Sequence, residues 1–171
     1  AVAYGLCEQG KDGRYLVFDL GGGTLDVSIL ELFQNIFEVH AIAGDNFLGG
    51  EDFTRTLADL FAQKAGLTMR ELSPADQFRV LRQAEMGKLA LSEGLAAIVT
   101  CEVGGKPYSA AITRGEYESA CQPLLQRIRK PVERSLQDAG LSVSEIDGIL
   151  LVGGASKSPI VRGFCRRLFG R

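Results

Sequence analysis

Residues 15–28 read Tyr-Leu-Val-Phe-Asp-Leu-Gly-Gly-Gly-Thr-Leu-Asp-Val-Ser, YLVFDLGGGTLDVS. Tyr15 to Leu20 is a short apolar run. From Leu25 to Leu32, the residues Leu25, Val27 and Ile29 alternate with Asp26 and Ser28. Phe37 to Ala43 alternates again, with Phe37, Val39 and Ala41 on one side. A period of two predicts three strands. Gly21 to Thr24 turns the first strand into the second, and Gln34-Asn35 turns the second into the third. The expected unit is an antiparallel meander whose first turn has three bare glycines and a hydroxyl at its tip.

Outward from the meander, the Gly44 to Gly50 loop leads to a helix from Glu51. There Phe53, Leu57, Leu60 and Phe61 form one apolar stripe. Ser73 and Pro74 have the N-cap and first-turn chemistry of a second helix, running to about Ser92. Ala96 to Val103 and Pro107 to Ile112 read as a hairpin around Gly104-Gly105-Lys106. Thr113 and Glu116 form a capping box that opens a long helical stretch ending near Gly140, which Pro123 and Pro131 should kink or divide. Gly148 to Val152 (GILLV) is a fully apolar strand. It feeds Gly153 to Lys157 and then a last helix capped by Ser158-Pro159, with Ile160, Phe164 and Leu168 inward. The start, AVAYGL, reads as the tail of a helix under way. Both ends are expected to be cuts in a longer protein.

The composition narrows the functions open to the 171 residues. Nineteen Lys and Arg face 21 Asp and Glu, a formal net charge of -2, so no basic excess exists to drive nucleic-acid binding. No apolar run approaches the roughly 20 residues a membrane helix needs. Cys7, Cys101, Cys121 and Cys165 include no CxxC pair, and His40 is the only histidine. Neither a zinc site nor a Cys/His nucleophile has the residues it requires. Four reduced thiols in a cytoplasmic protein are expected. Glycine is the unusual count, 21 residues, and it comes in clusters.

Three clusters have the chemistry to hold a phosphorylated ligand. In Asp19 to Asp26 (DLGGGTLD), bare amides at Gly21, Gly22 and Gly23 suit close approach to phosphate oxygens, and Asp19 and Asp26 suit a hydrated cation. A glycine-rich hairpin with two solvated acids is the plain alternative. No Walker loop occurs, and a dinucleotide fingerprint would need a helix where the period gives a strand. In Gly153 to Pro159 (GGASKSP), a glycine turn feeds a helix N-terminus with Lys157 beside it, either an anion site or an ordinary connection. On the Ser73 to Ser92 helix, Glu85, Lys88 and Ser92 share one narrow arc with Leu81. They meet either water at a subdomain edge or a polar ligand such as a ribose or base. His40 is read as a surface strand residue without a role.

Taken together, YLVFDLGGGTLDVS (residues 15–28), AGDNFLGGEDF (43–53), AEMGKLALS (84–92) and ILLVGGASKSP (149–159) resemble, in order and spacing, the ATPase domain of the seventy-kilodalton heat-shock chaperones. This is the DnaK family, and the wording is most similar to its HscC-like branch. The resemblance runs essentially end to end. It implies an α/β fold: the second lobe of an actin-like ATPase, with a ribonuclease-H-like base over residues 1–44 and 116–171. A smaller inserted α+β subdomain would cover 45–115. It implies catalytic roles for Asp19 and Thr24, and a metal role for Asp19 and Asp26 with Mg2+ and K+. Gly21, Gly22, Gly23 and Thr24 would hold the phosphates of ATP or ADP. Glu85, Lys88 and Ser92 would hold the adenosine, with Gly153, Gly154, Ala155, Ser156 and Lys157 contributing from the base.

By the same resemblance, the parent's partners would be unfolded polypeptide clients, a J-type co-chaperone and a nucleotide exchange factor. Several positions depart from the family pattern. Leu25 stands for Phe, Ala155-Ser156 for Ser-Thr, and Lys157 for an Arg whose flat guanidinium a lysine cannot copy. Leu89 stands where animal members carry Arg. The first lobe and its catalytic lysine are missing, so an inactive, monomeric fragment is expected. The alternative is a lobe of a bacterial actin-like filament or cell-division protein, which shares the hairpin; LGGEDF (48–53) favours the chaperone. A sugar-kinase lobe would bring a sugar-binding acid that the sequence does not show.

Overall fold

The computed structural model describes residues 12–34 and 36–170. The chain divides into two compact units, one running to Gly50 and resuming at Leu125, the other spanning Glu51–Leu124. The sequence reading put these boundaries at 44/45 and 115/116. The loop after the third strand stays with the first unit because Gly50 N donates to Gly21 O at 2.9 Å.

In the first unit, β1 (Gly13–Leu20), β2 (Leu25–Phe33), β3 (Ile36–Asp45) and β6 (Gly148–Val152) form one sheet in the order β3-β2-β1-β6. The first three strands are the expected antiparallel meander, and β6 joins β1 in parallel, with Asp19 opposite Val152. Alternation sorts the side chains. Leu16, Phe18, Leu20, Leu25, Val27 and Ile29 are fully buried, while Asp19 and Asp26, opposite each other in register, belong to the other face. The buried stripes of α4 (Gln122–Asp138) and α5 (Pro159–Phe169) complete this core.

Strand β3 departs from its simple period. The pairing slips between Ile29 and Leu30, where Ala41 and Val39 are successive partners and His40 is the extra residue. A bulge of this kind breaks the alternation. Val39, expected on one side with Phe37 and Ala41, is therefore turned from the buried Ala41 and 54% exposed, and Phe37 is half-buried. His40 pairs with Glu31 at 2.8 Å on the surface.

The second unit packs α1 (Gly50–Lys64) and α2 (Pro74–Glu93) with the hairpin of β4 (Ala96–Val103) and β5 (Lys106–Thr113), followed by α3 (Arg114–Ala120). Strand β4 alternates cleanly, burying Ala97, Val99, Cys101 and Val103. Its turn puts positive φ at both Gly104 and Gly105, the two-residue geometry that glycine favours. Gly87 is a packing glycine. A Cβ there would lie 2.8 Å from Val99 Cγ2 and 3.2 Å from Leu57 Cδ2, so its absence lets α1 and β4 close on α2. The buried Tyr117 hydroxyl donates to Phe53 O at 2.9 Å. Arg114 Nε donates to Leu91 O at 3.0 Å, satisfying a carbonyl in the last turn of α2.

The long helical stretch divides at Cys121, with Pro123 in the first turn of α4, and Pro131 is carried inside α4 without ending it. Two inward assignments shift. Leu60 of α1 is half-buried while Thr54, Ala58 and Ala62 are buried, and in α5 Phe169 is buried rather than Leu168. Short 3-10 turns at Met69–Glu71, Val143–Glu145 and Ala155–Lys157 lie outside the sequence reading. The thiols of Cys101, Cys121 and Cys165 are free and buried. Burial pushes Cys121 up to about 12 and Cys165 up to about 11, which leaves both protonated and unreactive. Cys7 and the stretch expected to be a helix tail lie outside the described residues.

Candidate functional site

The tip of the β1–β2 hairpin is closed by Gly21 N donating to Thr24 O at 3.0 Å, which leaves Gly22 and Gly23 as the two tip residues. Unlike Gly104 and Gly105, neither has positive φ. A Cβ at either would meet nothing within 4 Å. Neither a positive φ nor packing against the described residues calls for glycine there. Bare amides at such a tip are open to close approach by phosphate oxygens. Thr24 is exposed beside them.

Two other glycines fit this tip into its surroundings, and both reasons are tertiary. A Cβ at Gly49 would lie 2.4 Å from the Gly22 carbonyl and from Gly23 N, so the loop before α1 presses its backbone onto the tip from behind. Gly153, with φ +85°, would place a Cβ 2.2 Å from Leu20 O and 2.7 Å from Asp19 Oδ1. The end of β6 therefore lies directly against Asp19. Gly44, paired with Asp26, would bring a Cβ 2.7 Å from Leu25 O and 3.1 Å from Asp26 Oδ1. Each carboxylate is thus flanked by a glycine that leaves room around it.

Asp19 and Asp26 stand opposite each other on neighbouring strands, so their side chains share a face. Among the described residues no group of three or more His, Cys, Asp and Glu side chains could hold a metal. Two carboxylates suit a magnesium ion, which keeps most of its waters and takes further oxygens from a phosphate.

The Gly153 to Lys157 segment adds to the same unit. Gly154 is exposed, with open space where a Cβ would be, and Lys157 is exposed and makes no ion pair among the described residues. Ser156 is different. Its side chain is buried and its hydroxyl donates to Gly153 O at 2.8 Å, so that group serves the turn itself. Ser158 caps α5 by position, without a side-chain cap hydrogen bond, and Pro159 opens the helix.

In the other unit, Glu85, Lys88 and Ser92 lie at the half-buried shoulder of α2, beside the buried face formed by Val80, Ala84, Gly87 and Leu91. Lys88 Nζ lies 2.7 Å from Glu85 Oε2. The arc has a member that the sequence reading missed. Thr54, on α1 and 7% exposed, donates its hydroxyl to Glu85 Oε2 and accepts from Lys88 Nζ at 2.8 Å. Burial alone would raise the Glu85 pKa; hydrogen bonds from Lys88 and Thr54, with the Lys88 charge, outweigh it and hold the carboxyl below its ordinary value. Ser92 Oγ donates back to Lys88 O at 3.1 Å, which leaves its lone pairs as acceptors. Leu89 is 53% exposed on the outer side. Thr54 and Thr56 both stand between Phe53 and Leu57, and nothing in the sequence singles out Thr54.

The whole chain, residues 1–171, matches the family described as Hsp70 protein. The chain belongs to the Hsp70 family. Among curated Hsp70 relatives it is 40% identical over 172 residues to the "Chaperone protein HscA homolog" of Burkholderia mallei (strain SAVP1), covering 100% of this chain and 28% of the relative. The HscA homolog of Burkholderia pseudomallei (strain 668) matches with the same identity and coverage. The "Chaperone protein dnaK3" of Synechocystis is 42% identical over 181 residues, covering 100% of this chain and 23% of the relative. The chain therefore spans about a quarter of the length of these relatives. The mixed sheet and its helices fit the actin-like ATPase lobe of the Hsp70 fold. The chaperone names of these relatives do not favour the filament alternative. No helix among the described residues is long and apolar enough to cross a membrane.

Proposed function

We propose that this chain is the second lobe of the ATP-binding domain of an Hsp70 chaperone of the HscC-like branch, whose parent couples ATP hydrolysis to binding and release of unfolded polypeptide. The observation that carries this is the Gly22-Gly23 tip. Neither positive φ nor packing against the described residues calls for its glycines, and they stand beside two carboxylates flanked by Gly44 and Gly153. In this reading the amides of Gly21 to Thr24 bind the terminal phosphates. Asp19 orients the attacking water. Asp19 and Asp26 hold Mg2+, with K+ as a second cation, and the magnesium supplies charge neutralisation of the phosphates. Glu85, Lys88 and Ser92 bind the nucleoside, and Gly153, Gly154, Ala155, Ser156 and Lys157 act through backbone amides and one cation. Ser156 takes part through its amide because its hydroxyl is committed to Gly153 O.

Phosphoryl transfer depends on positioning and on charge stabilisation around the transferred group. Asp19, Thr24 and Asp26 supply part of that, and in this reading the opposing cations come from the other lobe of an intact ATPase domain. In this reading the isolated chain is a monomer without turnover, the parent is cytoplasmic, and the J-type co-chaperone, exchange factor and clients act on the parent. ATP turnover by the chain beside the intact ATPase domain, with Asp19→Ala in both, tests this. Turnover is expected in the intact domain alone, abolished by Asp19→Ala. Turnover by the chain within tenfold of the intact domain would overturn the half-site reading.

A further inference from the structure

We propose that Thr54 is the positioning residue of the nucleoside site: its buried hydroxyl bridges Glu85 and Lys88 and sets the orientation in which both are presented. This rests on the reading of Glu85, Lys88 and Ser92 as nucleoside-binding groups. The proton count fixes the polarity of the bridge. An ammonium has donors and no acceptor, so Lys88 donates to Thr54 Oγ1, and the hydroxyl's single proton goes to Glu85. The contacts from Thr54 and Lys88 fall on Oε2, and among the described residues Oε1 stands as the acceptor for a ligand donor such as a sugar hydroxyl.

Thr54 is suited to hold this geometry where a flexible residue is not. It is 7% exposed, its branched Cβ restricts χ1, and it sits on α1 among the buried Phe53, Leu57 and Ala58. Glu85 and Lys88, by contrast, are long side chains whose heads are partly solvated. Lys88 on α2 and the hydroxyl of Tyr117 on α3 are the titratable groups that act on or near the carboxyl, with Cys121 next to Lys88. Tyr117 and Cys121 are pushed up by burial and stay neutral.

The experiment measures ADP affinity of the full-length protein across pH 4 to 8 for Thr54→Val, Thr54→Ser, Glu85→Ala and Lys88→Ala, with melting temperatures as the folding check. Thr54→Val removes the hydroxyl and keeps the shape. Its expected effect is a loss of affinity of about 3- to 10-fold, the worth of one or two hydrogen bonds. The acid limb of binding should also move to higher pH, because Glu85 loses a donor that favours its ionised form. Thr54→Ser keeps the donor and should retain both the affinity and the limb. Should Thr54→Val not fold, Thr54→Ala carries the same expectation. Normal ADP affinity in the Val variant, lost affinity with an unmoved acid limb, or a Ser variant as impaired as Val would each overturn the proposal. If Glu85→Ala and Lys88→Ala bind ADP like the wild type, the nucleoside reading itself fails. If they weaken binding and Thr54→Val does not, the positioning role alone fails.

Discussion

Glycines at two hairpin tips serve different purposes in this protein. Gly104 and Gly105 occupy positive φ and are needed by the turn between β4 and β5. Gly22 and Gly23 do not, and have open space around them. Gly22→Ala should therefore leave the melting temperature nearly unchanged, within the fraction of a kcal/mol to about 1 kcal/mol typical of Gly→Ala at an unstrained site. Nucleotide affinity of the full-length protein should fall, because the methyl stands where the phosphates would approach. Gly49→Ala should behave in the opposite way. Its methyl would lie 2.4 Å from backbone atoms of the tip, so the loop must move. Overpacking of this kind costs about 1–3 kcal/mol, and a clear drop in melting temperature should precede any change in binding. Equal melting temperatures for the two variants would show that the tip is not braced from behind by the 48–50 loop.

At the scale of elements, the Thr113–Glu116 capping box does more than start α3. Glu116 accepts from Thr113 N at 2.8 Å and pairs with Lys64, at the end of α1, at 2.6 Å. The hydrogen bond from Lys64, then those from Thr113, hold the Glu116 pKa far below its ordinary 4.5, at about 2. A carboxyl whose folded value lies below its unfolded one stabilises the fold above pH 4.5 and loses that contribution as pH falls toward 2. Glu116→Gln should melt below the wild type at neutral pH, with the gap closing between pH 4.5 and 2. A gap that stayed constant over this window would show that the pairing is not ionic. The box was readable from two residues three apart. Lys64 was not, because the pair spans 52 positions of chain and needs α1 and α3 side by side.

For the whole molecule, membership of the Hsp70 family favours the chaperone over the filament alternative that the hairpin alone leaves open. An actin-like filament protein and a chaperone share the strand–glycine turn–strand arrangement. The full-length protein with ATP should remain in the supernatant on high-speed centrifugation. ATP-dependent pelleting would restore the filament alternative. The local plan of both units was legible from the sequence because it rests on local rules. An apolar run marks β1, period-two alternation marks β2, and Ser73-Pro74 and Thr113–Glu116 open helices. The candidate residues Asp19, Gly21 to Asp26, Glu85, Lys88 and Ser92 were readable as residue types out of place in their patterns. What the tertiary structure alone decided depends on atoms brought close from far along the chain. The His40 bulge that turns Val39 outward arises from pairing with β2, and the boundary at Gly50 from a hydrogen bond to Gly21. Gly49 and Gly153 are glycines because distant backbone lies within 2.4 Å of where their Cβ atoms would stand. Thr54 reads as one more helix residue until α2 sets Glu85 and Lys88 against its hydroxyl. Periodicity reports which face of an element is buried; it carries no information about which partner's polar atoms wait there.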